Sequence, residues 1–140
     1  MCLAVYIASD HELPEIDWDE SDPKFYVEII DGREAKIDRH LKLPHVAYAG
    51  SSQGCGCGFR KPVDMPEELL APGESEESQA NYDALASYIE NMQKSGASCE
   101  IYVCWEGDQG QPSEFRSRIT TEELASREFV LAEKTLYELA

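Results

Sequence analysis

The sequence predicts an α+β fold, a single domain over residues 1–140 in which a mostly antiparallel sheet of about five strands is packed by one main amphipathic helix. Three observations predict it. Apolar residues alternate with period two from Cys2 to Ala8 and from Ser98 to Glu106, as in strands that present two distinct faces. Tyr82, Leu85, Ala86, Ile89 and Met92 recur at helical spacing and make one continuous stripe. Asp31-Gly32 stands between two short runs of strand-like residues, the dipeptide that favours a tight hairpin turn.

In chain order, Cys2 to Ala8 places Leu3, Val5 and Ile7 on one face and Cys2, Ala4, Tyr6 and Ala8 on the other. Both faces are largely apolar, which predicts a central strand. Ser9 to Asp22 is acidic and reads as a solvated loop; Asp17-Trp18-Asp19 lacks the glycine and closing glutamate of an EF-hand. Phe25 to Ile30 reads as a second strand. After Asp31-Gly32, Ala35 to Leu41 reads as its return strand, with Ala35 and Ile37 inward. Pro44 breaks the chain, and His45 to Ala49 is a short strand leading into a glycine-cysteine loop. Glu67 to Glu77 reads as an exposed acidic loop around Pro72-Gly73.

The main helix is expected over Ser78 to Ser95. Glu76 and Glu77 suit its positive end, Lys94 its negative end, and Gly96 its stop. Ser98 to Glu106 puts Cys99, Ile101, Val103 and Trp105 on one face and Glu100, Tyr102, Cys104 and Glu106 on the other. Gly107 to Pro112 is a turn. Thr120 and Glu123 fit a capping box, predicting a short helix from Thr121 to Ser126 and extended chain beyond it.

Composition bounds the function. The hydrophobic and charged fractions, 42% and 29%, are those of a globular protein. A net charge of −16 repels phosphate backbones and anionic membrane surfaces, so neither nucleic acid nor membrane is an expected partner. No run approaches the roughly 18 apolar residues of a membrane span. The short apolar opening has no basic lead-in, which predicts a cytoplasmic protein with reduced thiols. No phosphate-binding loop, dinucleotide fingerprint or nucleophile elbow occurs, so no catalytic residue is assigned.

The chemistry concentrates in Gly54-Cys55-Gly56-Cys57-Gly58. In extended chain, residues two apart share a side about 6.6 Å apart. Cys55 and Cys57 can therefore face one partner. Glycine removes side-chain bulk, and backbone N–H groups at Gly56 and Gly58, with Arg60 and Lys61, can cradle an anion or favour a thiolate. The stretch suits a zinc-like metal site, a thiol pair in which one cysteine is attacked and the other resolves it, or an anion site. Cys2, Cys104, His40 or His45 would complete a ligand set. Equally, the cysteines can be small apolar packing residues, and the protein a non-enzymatic module that binds a protein partner.

From Arg39 to Val63 there is no Asp or Glu, and this segment carries +4 while the rest of the chain carries −20. The basic island can serve an anionic ligand or pair with acidic neighbours. For an enzyme acting on an anionic metabolite there, His40 or His45 would be the base. Met1-Cys2 resembles the opening of glutamine amidotransferases that use an N-terminal cysteine nucleophile. That family continues with Gly where Leu3 stands and has a much larger domain, so the resemblance covers two residues.

Overall fold

The structure, a computed structural model, describes residues 2–60 and 74–140. Six strands form one sheet: β1 (Leu3–Ser9), β2 (Tyr26–Ile29), β3 (His45–Gly50), β4 (Cys99–Trp105), β5 (Phe115–Ile119) and β6 (Thr135–Leu139). Two helices accompany them, α1 (Glu74–Lys94) and α2 (Thr121–Leu124). The order across the sheet is β2-β3-β1-β4-β6-β5. Every pairing is antiparallel except β5 with β6, which run parallel across the short helix α2. This is the α+β architecture that the alternation and the single long stripe predict. No helix among the described residues is long and apolar enough to cross a membrane.

β1 lies between β3 and β4, with Val5 opposite Ala49 on one side and Val103 on the other. All seven of its residues are buried, because the sheet is covered on both faces. On one face Leu3, Val5, Ile7, Ile101 and Val103 pack with Tyr82, Leu85, Ile89 and Met92 of α1. On the other, Ala4, Tyr6, Ala8, Tyr102 and Cys104 pack under Ile37 and Leu41. Alternation along β1 and β4 thus sorts their side chains into two cores, as the period-two pattern requires.

The connection between β2 and β3 corrects one sequence expectation. Ala35 to Leu41 is not a return strand; β2 pairs instead with β3, Ile29 opposite Ala47. Asp31 does not enter a tight hairpin turn. Its Oδ1 accepts the Arg33 N–H at 2.9 Å, and its carbonyl accepts the Ala35 N–H at 3.0 Å. The side chain therefore caps a coiled turn, the alternative that Asp offers a backbone. Ile37, fully buried, pulls this turn down over the second sheet face. The acidic loop before β2 touches the sheet at Ile16, whose N–H and C=O exchange 3.0 Å bonds with Val27.

α1 begins at Glu74, so Glu74 to Glu77 is helix rather than exposed loop. Lys61 and the rest of the expected loop, Glu67 to Gly73, lie outside the described residues. At the other end, the Ala97 N–H donates to the Met92 carbonyl at 3.1 Å and the Gly96 N–H to Gln93 at 3.0 Å. This is a Schellman ending, with Ala97 and Met92 both in the core beneath it. Gly96 has φ +90°, and an added methyl there would meet nothing within 4 Å. Gly96→Ala should therefore cost only its backbone strain, about 1 kcal/mol, read as a lower denaturation midpoint with unchanged slope.

β5 has no counterpart in the sequence reading. Phe115–Ile119 is an edge strand whose residues are mostly exposed, so it lacks the alternating burial that marks a strand in sequence. The Thr120 cap is as expected: its hydroxyl accepts the Glu123 N–H at 3.1 Å.

Candidate metal centre

The glycine-cysteine loop follows β3 directly and folds back on it. Gly54, with φ +80°, donates to the Ser51 carbonyl at 3.0 Å and closes a turn. The Ser51 N–H donates to the Cys55 carbonyl at 2.8 Å, and the Ser51 hydroxyl bonds the same oxygen. The chain then makes one 3₁₀ turn, Gly56–Phe59. Gly58 donates its N–H to Ser51 Oγ at 2.9 Å.

Other elements hold the loop from outside. Asn81 of α1 accepts the Ser52 N–H at 3.0 Å and donates to Ser52 Oγ at 3.1 Å. Tyr26 of β2 donates its hydroxyl to the Gly54 carbonyl at 2.6 Å. Tyr82 of α1 donates to the Phe59 carbonyl at 2.8 Å. The helix α1 and strand β2 therefore position the cysteines.

Close packing is the reason for two of the glycines. A methyl on Gly56 would land on the Leu3 carbonyl of β1, and one on Gly58 would land on the Ser51 side chain. The loop is thus seated against the start of β1. Cys2 precedes that strand, and its carbonyl accepts the Glu106 N–H at 2.8 Å, which extends the β1–β4 ladder by one residue.

This docking brings Cys2 to Cys55 and Cys57. Their sulfurs all lie within 4.8 Å of one another, and each residue is half-buried. None of the five cysteines is in a disulfide. The three together can hold a metal ion.

Their thiols are not equivalent. Burial pushes the Cys55 thiol up to about 11, only partly offset by the Cys57 N–H directed at its sulfur. Burial also opposes ionisation of Cys57. However, thiol donors from Cys2 and Cys55, the Leu3 N–H and the Arg60 charge outweigh it and hold Cys57 below the ordinary thiol value. In the ion-free protein Cys57 should therefore begin to react with iodoacetamide at lower pH than Cys55, the order read by peptide mapping across a pH series. A reversed order would mean that the donors around Cys57 are not oriented as the geometry has them.

The remaining sequence candidates lie elsewhere. Cys104 is buried on the second sheet face, and burial raises its thiol to about 12. Cys99 is buried on the helix-covered face. His40 stacks on Tyr102, ring centroids 4.1 Å apart and planes at 9°, with Nε2 2.8 Å from the Gln109 carbonyl oxygen. His45 is exposed at the start of β3, the end away from the loop. Cys104, His40 and His45 thus do not join the three sulfurs.

The basic island is continuous only in sequence. Arg39 donates to the Gly110 carbonyl at 3.2 Å, Lys42 lies 3.6 Å from Glu138, and Arg60 stands 5.2 Å from the Trp105 ring centroid. Of the two loop N–H groups expected to cradle an anion, at Gly56 and Gly58, that of Gly58 is likewise used within the chain, by Ser51 Oγ. The sequence assigns no role at the loop to Ser51, Tyr26, Asn81 or Tyr82, although it places Tyr82 in the core stripe of α1. Ser51-Ser52, separated from Gly54 only by Gln53, is the local signal that could have marked the first of them.

Fold and site together define an α+β protein with a three-cysteine cluster at one end of its central strand. The chain matches no protein-family model, no curated protein and no solved structure.

Proposed function

We propose that the protein binds a soft metal ion through Cys2, Cys55 and Cys57. The observation that carries this reading is the convergence of three sulfurs within 4.8 Å from two separate parts of the chain. A metal–sulfur bond of about 2.3 Å in tetrahedral geometry places sulfurs about 3.8 Å apart, inside that limit. Zinc accepts such ligands. Three thiolates and one zinc ion sum to a single negative charge, which the Arg60 guanidinium beside Cys57 offsets. Among the described residues no fourth ligand joins the three thiolates. A reducing cytoplasmic setting belongs to this reading, since it keeps the thiols available.

The test is a native mass spectrum of protein purified without chelator or affinity metal, paired with thiol mapping. The expected result is one bound ion, with Cys2, Cys55 and Cys57 protected from alkylation until it is stripped. Cys99 and Cys104 should label only after unfolding. Chelation should lower the melting temperature, because ion binding to the folded state is folding free energy. Absence of any ion, with no uptake of zinc or of another thiophilic ion on addition, would overturn the reading. The cysteines would then be packing residues, and the acidic surface would point to a protein partner. Loss of two hydrogen masses on mild oxidation, without ion uptake, would assign the cluster to thiol exchange instead.

A further inference from the structure

We infer that the site prefers a trivalent thiophilic ion, arsenic or antimony taken up from its neutral hydroxide, over zinc; the inference rests on the metal reading above and names the ion class. It starts from the donor count. Among the described residues no imidazole, carboxylate or further thiol joins the three sulfurs. His40 is engaged with Tyr102 and Gln109. Glu106, at the end of the neighbouring strand, accepts from Gln109 Nε2 at 2.9 Å.

Zinc is poorly served by this arrangement. A structural zinc site closes with four protein ligands, and a catalytic one sets its bound water beside a base. Among the described residues the three sulfurs stand with neither. A trivalent ion of this class is complete with three sulfurs in a pyramid, its lone pair occupying the fourth direction. That direction can face the half-exposed side of the cluster.

Charge admits the same ion and disfavours a monovalent one. Three thiolates and a trivalent ion sum to zero, while three thiolates and zinc leave one negative charge for Arg60 to offset. Cuprous copper would leave two negative charges in a chain already at −16. An uncompensated charge removed from water is costly. Arg60 is placed to offset one such charge, not two.

The uptake step balances without an oxidant. Three S–H bonds and three ion–oxygen bonds break. Three ion–sulfur bonds form, and three water molecules leave carrying the thiol hydrogens. The ion keeps its oxidation state.

The test uses the full chain, reduced and anaerobic, titrated separately with sodium arsenite and with zinc chloride. Uptake is read by native mass spectrometry, and coordination by X-ray absorption at the arsenic and zinc edges. The expected result is one arsenic per chain bound by three sulfurs and retained in a tenfold excess of zinc. Cys2→Ser and Cys57→Ser should each weaken arsenite binding by about 100-fold or more, because two tethered arms hold an ion far less well than three. If a variant fails to fold, protection of the three native thiols from alkylation by arsenite gives the same information. Zinc held in four-coordinate form and displacing arsenite would overturn the inference while leaving the metal reading standing. Arsenite bound by two sulfurs, with no loss in Cys2→Ser, would also overturn it. Binding of neither ion would overturn both.

Discussion

Gly56→Ala is expected to lower the unfolding free energy by about 3 kcal/mol and to scatter the three sulfurs. The added methyl would collide with the Leu3 carbonyl, which is backbone of the central strand. A flexible side chain could swing away; Leu3 cannot, because it is paired on β1 opposite Trp105. The loop must lift instead. Lifting it breaks the Gly58 to Ser51 bond and moves Cys55 and Cys57 away from Cys2 together. Stability and ion uptake should therefore fall in the same variant. Chemical denaturation measures the first and native mass spectrometry the second. A midpoint within about 0.5 kcal/mol of wild type, with ion uptake intact, would show that the loop is not seated on β1 in solution.

Tyr82→Phe is the second large effect, expected at about 2–3 kcal/mol. The Tyr82 hydroxyl donates to the Phe59 carbonyl at 2.8 Å and accepts the Leu131 N–H at 2.9 Å. One fully buried oxygen thus ties the end of the cysteine loop and the segment before β6 to α1. Removing it leaves a buried donor and a buried acceptor without that partner, each worth about 1–3 kcal/mol when unmet. The ring itself stays, packed edge-on to Phe59 and Phe129, so the loss is of hydrogen bonding rather than volume. For a chain of this size the melting temperature should fall by roughly 10 °C. A fall of only a degree or two would mean that water or a shifted backbone takes the place of the hydroxyl. The sulfur cluster should survive this change better than Gly56→Ala, since Tyr82 holds the loop beyond Cys57.

The two variants separate what the loop needs. Gly56 sets its distance from β1, and hence from Cys2. Tyr82 sets its exit toward the helix. Neither role is visible in the loop sequence alone, because both partners are distant in the chain.

Elements whose signals lie in neighbouring residues were legible in the sequence. The two-faced alternation of β1 and β4, the stripe of α1, the Gly96 stop and the Thr120 cap all appear in the structure as read. In each case a local spacing meets one geometric period, so no long-range information is needed. Cys55 and Cys57 stood out as two thiols between glycines, but the extended spacing expected of them does not hold: a 3₁₀ turn over Gly56–Phe59, not a strand, brings their sulfurs together.

What failed did so where a local signal had two physical outcomes. Asp31-Gly32 favours a tight turn, but Asp also caps a coiled one, and burial of Ile37 on the second sheet face selects the latter. β5 was missed because an exposed edge strand needs no alternation; its pairing with β6 forms it. The chain by itself determined the class of fold and the residue types a soft ion would need. Only the tertiary structure decided that Cys2, rather than Cys104, His40 or His45, stands with Cys55 and Cys57. The reason is register: pairing of β3 with β1 sets the loop beside the first residues of the chain, and a contact that long in sequence leaves no mark in local spacing.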